Sequence, residues 1–136
     1  MNRSACLLAF AFLFAITLRA CAVEQPIKLL EGVQPKPEVF AVTQRDKPLV
    51  LKAKDEAAGH FAEDASTALN KQVDFEKEFV LVFAWKGSGQ DKLSYAVAES
   101  FPEQIFFTLT PGRTRDFRSH TQIYVLRNGV KWSVRP

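Results

Sequence analysis

Phe79-Val80-Leu81-Val82-Phe83-Ala84-Trp85 is an unbroken apolar run of seven residues. A run this short, rich in β-branched and aromatic side chains and bounded by polar turns, reads as a central strand buried on both faces. Such a strand needs cover on either side. Upstream, Ala57, Ala58, Phe61, Ala62, Ala65, Ala68 and Leu69 recur at helical spacing over residues 55–69, and Asp55 can cap the first turn. A stripe made mostly of alanine predicts a helix lying close against a sheet, with Gly59 a weak point in its interior. Before it, residues 38–42 and 49–51 read as short strands split by the polar turn 44–48. Residues 23–37 hold Pro26, Pro35 and Pro37 with little periodicity, and read as a tether.

Downstream, residues 86–91 turn the chain. Leu93, Tyr95 and Val97 then alternate with Ser94, Ala96 and Ala98, the pattern of a neighbouring antiparallel strand. Ile105, Phe107 and Leu109 alternate again until Pro111-Gly112. Residues 121–126 form a further strand, and Asn128-Gly129 is a hairpin signal leading to Val130, Trp132 and Val134. The order of elements predicts an α+β domain over residues 38–136: a mostly antiparallel, bent sheet of about six or seven strands with one covering helix.

The first 22 residues differ from the rest. Met1-Asn2-Arg3 is a short positive start, and residues 4–18 carry no charge. That is too short to span a bilayer and has the length of a signal-peptide core. Ala20-Cys21-Ala22 offers the small-x-small pattern of a cleavage site, so the mature chain is expected to start at Val23 and to be periplasmic or secreted. Leu18-Arg19-Ala20-Cys21 also resembles a lipobox that would anchor the chain through a lipid on Cys21; Arg19 is unusual there, which favours simple cleavage. Any membrane contact is expected through these two devices alone. Both cysteines, Cys6 and Cys21, lie in this segment. The exported domain is therefore expected to be free of disulfides and of thiol chemistry.

The formal charge of +3 overstates how basic the domain is. Without Arg3 and Arg19 it has sixteen basic against fifteen acidic residues, which argues against nucleic acid as a partner. The charge is nonetheless polarised. Residues 23–85 hold eight basic and eleven acidic residues, and residues 86–136 hold eight and four. Arg113, Arg115, Arg118 and His120 cluster within eight positions, offset by Asp116. Arginine forks suit carboxylates and phosphates on a partner, so these four are the candidate binding residues.

No catalytic set is expected. Gly87-Ser88-Gly89 precedes a strand and lacks the Lys of a phosphate loop. Asp116, Ser119 and His120 are close in sequence, but neighbours on a strand face opposite ways, and no nucleophile elbow is present. His60 has Glu56 and Asp64 at i−4 and i+4, which could hold a divalent cation loosely, although a specific site would need another ligand. No cofactor or metal is expected. A small hydrolase or metal enzyme using His60 or His120 is the enzymatic alternative.

Val73-Asp74-Phe75, the strand 79–83, the Gly87/Gly89 loop, the strand bearing Tyr95 and Val97, and the later strand with Tyr124 and Val125 resemble the C-terminal domain of the PrcB-like family. The likeness covers roughly two thirds of the chain. That family is named for an exported component that stabilises a bacterial surface protease complex. The resemblance implies structural roles for Asp74, Phe75, Leu81, Tyr95 and Tyr124. It departs at Leu93-Ser94-Tyr95, where the family often has Gly-Gly-Tyr, and at Ile123-Tyr124, where a Pro-Tyr is usual. On its own chemistry, Asp74 before a buried strand can accept hydrogen bonds from loop N–H groups. The expected function is an exported binding domain that docks on and stabilises or modulates another envelope or secreted protein, a protease being one such partner. A protease inhibitor acting through the 87–90 or 113–120 loop is the alternative.

Overall fold

The computed structural model describes residues 24–135. The signal segment 1–22 with both cysteines, and the expected start at Val23, lie outside the described residues. The fold is α+β with a sheet-rich core: seven strands in two mostly antiparallel sheets, and three helices.

The apolar run lies in β3 (Glu78–Ser88), whose antiparallel neighbour β6 (Phe117–Arg127) pairs with it along its whole length. β1 (Ile27–Leu30) adds to the far side of β6, and β2 (Leu49–Leu51) to the far side of β3, giving the order β1-β6-β3-β2. Side chains alternate across a strand, and β3 shows what this run needs. Val80, Val82 and Ala84 enter one core with Leu51, Ile123 and Val125, under Val39, Ala57, Phe61 and Leu69 from the helical side. Phe79, Leu81, Phe83 and Trp85 enter a second core with Tyr124 and Leu126. That second core is closed by a three-stranded sheet of β4 (Lys92–Ala98), β5 (Gln104–Thr110) and β7 (Lys131–Arg135). Val80, Leu81, Val82 and Phe83 are all fully buried, as the sequence predicts.

Several elements differ from the sequence reading, each for a physical reason. The expected single helix is two: α2 (Lys54–His60) and α3 (Glu63–Gln72). Phe61 between them is extended at φ −121°, ψ 150° and wholly buried. Burying a Phe ring contributes about 1.5–3 kcal/mol, and the chain breaks to seat it, bridging to Pro35. α2 starts without a side-chain cap on its own N-cap residue; the Glu56 carboxylate instead accepts from the Lys52 N–H at 2.7 Å. Residues 38–42, expected as a strand, contain a one-turn helix, α1 (Val39–Val42). A short apolar run does not distinguish the two states, and here the turn bonds Val39 N–H to Lys36 O and Phe40 N–H to Pro37 O open a helical turn. The tether expected over residues 23–37 is corrected at β1, whose Ile27 and Leu30 are buried, and at buried Val33.

The antiparallel neighbour expected for β3 in the strand over 93–97 is also replaced. β4 does not pair with β3, because both edges of β3 are taken: β6 lies along one, and β2 with the α1 turn lies along the other. Thr43 Oγ1 sits 2.7 Å from the Ala84 carbonyl and Arg45 Nη2 donates to the Lys86 carbonyl at 3.4 Å on that second edge. Asn128-Gly129 makes a turn with Gly129 at φ 88° but no hairpin. The Leu126 end of β6 is flanked by β3 and β1, so β7 crosses to the other sheet and runs parallel to β5.

Candidate functional site

The two loops at the end of the β3–β6 ribbon are tied to each other. Asp91, after β3, is buried, and its Oδ1 accepts from the Gly112 N–H at 2.7 Å. Its Oδ2 accepts from Trp85 Nε1–H at 3.1 Å and lies 3.8 Å from Arg45 Nη2. The Gly112 N–H does most to hold the Asp91 carboxyl below its ordinary value; burial pushes the other way, and Trp85 and Arg45 add to the lowering. Asp116 returns the tie from the opposite loop, accepting from the Gly89 N–H at 3.0 Å and pairing with Arg118 Nε at 2.6 Å. The Thr114 hydroxyl, then the Gly89 N–H, lower its carboxyl too. Ser88 Oγ lies 2.6 Å from Thr114 Oγ1 and accepts from the Thr114 N–H at 3.1 Å. The approach is close enough to require glycine: a Cβ on Gly89 would meet the Asp116 carboxylate, and one on Gly112 would lie 2.5 Å from Ser88 Oγ.

This arrangement divides the four predicted binding residues. Arg113 and Arg115 are exposed and enter no ion pair among the described residues. Arg118 is exposed but bound to Asp116. His120 is tied inward: its ring stacks on Trp85 at 5.0 Å, and Nε2 lies 2.7 Å from the Ser88 carbonyl. A carbonyl only accepts, so Nε2 carries the proton and donates. Phe117, which the sequence reading did not single out, stands among the arginines at 76% exposure. Its signal was available as an aromatic between charged residues, with no alternating apolar neighbours to suggest burial.

The structural residues fall as follows. Leu81 is in the second core, and Tyr124 is buried beside it with its phenol pushed up to about 12, by burial first and by Tyr95 second. Tyr95 is exposed on β4, with its ring 5.5 Å from that of Tyr124. Phe75 is half-buried against the helical core, and Asp74 Oδ1 accepts the Glu76 N–H at 3.1 Å, the loop role expected of it.

Ser119 and His120 project from opposite faces of β6, and the helix break separates Asp64 from Glu56 and His60. Among the described residues no three His, Cys, Asp or Glu side chains converge as metal ligands. A cavity of about 810 Å³ opens elsewhere, between the end of α3 and β1. Lys28 is already bonded there to Glu78 and to the Gln72 carbonyl. Among the described residues no helix is long and apolar enough to cross a membrane. Comparisons with protein-family models, curated proteins and solved structures found no match.

Proposed function

We propose that this chain is a small exported binding domain whose basic shelf docks on another envelope or secreted protein. The observation that carries the reading is the pinned pair of loops: the fold spends two carboxylates and two glycines on holding rigid a surface where Arg113, Arg115 and Phe117 stand free. Arginine and aromatic residues dominate binding energy at protein interfaces, and a shelf fixed beforehand loses little entropy on docking. The inward ties of His120 support a binding rather than a catalytic role. The likeness to PrcB-like domains makes a protease complex one candidate partner. Export rests on the uncharged run 4–18 and Ala20-Cys21-Ala22.

Two measurements test this. The intact mass of the exported protein should correspond to a start at Val23; retained Met1 removes the export claim, and a diacylglyceryl mass on Cys21 converts it to a lipoprotein. Cross-linking in the native envelope fraction should join one protein to the wild type and lose it with Arg113→Ala/Phe117→Ser. Equal capture by both would place docking elsewhere. The same rigidity favours, as the second reading, a loop that occupies a protease cleft. A captured protease inhibited by the domain supports that reading, and one protected from decay supports the stabiliser.

A further inference from the structure

The strand β6 is paired on both sides only near its end. β1 covers Ile123–Leu126, with Leu30 opposite Ile123, and the chain then turns away through Gly32 at φ 76°. The remaining edge, residues 117–122, has β3 on one side and, among the described residues, no strand on the other. Six residues of open edge extend about 20 Å at ~3.3 Å each. Exposed edges of this kind template pairing, and proteins commonly blunt them with proline, a bulge or a lysine. This one holds no proline and a single charged side chain, Arg118.

The two faces flanking the edge are unlike. On the helical face a groove of about 490 Å³ runs beside it, lined by Pro35, Pro37, Phe40 and Lys86 with Ser119 and Thr121. Phe117 shares that face, because its register partner is Ser88 and Lys86 is opposite Ser119. On the other face stand Arg118 and His120, with Arg113 and Arg115 on the adjoining loop. One face thus offers apolar surface, and the other is next to three arginines.

We propose that an extended segment of the partner adds to β6 as a further strand along residues 117–122. Apolar residues at alternate positions fill the groove, and acidic residues between them meet the arginines. This rests on the docking reading and narrows it to strand addition, in which main-chain hydrogen bonds give affinity and alternate side chains give specificity. Charge complementarity selects the occupant: a segment alternating lysine with valine would bring like charges against Arg118. The outer edges of β4 and β7 are the competing sites in the second sheet: β4 exposes Tyr95 and Val97 but has no charged side chain between Leu93 and Ala98 to choose a partner, and β7 offers five residues against the six of β6.

The test uses the mature protein and an eight-residue peptide of alternating glutamate and valine, acetylated and amidated, followed by residue-resolved hydrogen exchange. The expected result is at least tenfold slower exchange of the freely exchanging amides in residues 117–122. The lysine–valine peptide, and a glutamate–valine peptide N-methylated at every amide, should give none. Protection confined to Lys92–Ala98 or to Lys131–Arg135, or an absence of binding, overturns the proposal. So does equal binding of the methylated peptide, which keeps the charge and loses the main-chain donors. If these fail while Arg113→Ala/Phe117→Ser still releases the cross-linked partner, docking stands and strand addition falls.

Discussion

Asp91 is the side chain on which the shelf turns. Replacing it with alanine leaves the part-buried Gly112 N–H and the buried Trp85 Nε1–H without their acceptor, and an orphaned buried donor such as the latter costs about 1–3 kcal/mol. Asp91→Asn keeps one oxygen and should cost less. Because the folded carboxyl sits below its ordinary value of 3.8, its stabilisation is fully present above that value and is lost as pH falls through the lower, folded one. Denaturant unfolding at pH 7, 5, 4 and 3 should therefore show wild-type stability dropping below about pH 4. Asp91→Asn should drop less over the same range, and equal slopes would remove Asp91 from the acid response. Gly112→Ala tests the close approach between the loops. Its Cβ would fall 2.6 Å from the Gln90 backbone, and overpacking of this kind costs about 1–3 kcal/mol. A thermal scan showing no loss would mean that the loops separate freely. In the sequence, Asp91 is only a polar turn residue. Its main donor comes from 21 positions away, and no local pattern encodes that distance.

The elements divide into those that a residue pattern specifies and those that available edges specify. β3 belongs to the first kind. Its seven apolar residues required two buried faces, and the alternation of Val80 and Val82 against Leu81 and Phe83 supplies a different core to each. Leu81→Ala should cost ~2–5 kcal/mol in a denaturant titration, and a loss below about 1 kcal/mol would place the strand at an exposed edge. The strand over 93–97 and those through Phe107 and Val125 were legible for the same reason: strict alternation fixes the face. Alternation does not fix the neighbour. That β6 rather than β4 lies beside β3 follows from which edges are free once all strands are present, and this left the second sheet hidden. β1 was hidden for want of length, since four residues containing Lys28 and preceded by Pro26 give almost no period. The helix break was written in Phe61, the one aromatic residue in an alanine stripe, but a helical face and a buried corner ask for the same residue.

At the scale of the whole molecule, the domain presents a basic, rigid end, and charge there should govern how fast a partner arrives. The arginine cluster was legible as composition; which arginines are free was not, because Asp116 could have paired with any of them and the fold gives it Arg118. The triple variant Arg113→Ala/Arg115→Ala/Arg118→Ala should stay folded. Exposed substitutions change stability by less than ~0.5 kcal/mol each, and Asp116 keeps the Gly89 N–H when Arg118 is removed. An arginine at an interface can cost ~2 kcal/mol or more when truncated, so affinity for the cross-linked partner should fall by far more than stability does. The kinetics separate the causes. Solvent-exposed charges act mainly on encounter, and salt screens them over about 10 Å at 0.1 M. Raising salt from 0.05 to about 0.5 M should therefore slow wild-type association steeply and leave the triple variant nearly unaffected. Phe117→Ser, which changes no charge, should leave the association rate and its salt slope in place and quicken dissociation, because a seated aromatic acts after contact. A triple variant that unfolds would show that the arginines are internal ties, and one with wild-type association and affinity would reduce the shelf to a solvated loop.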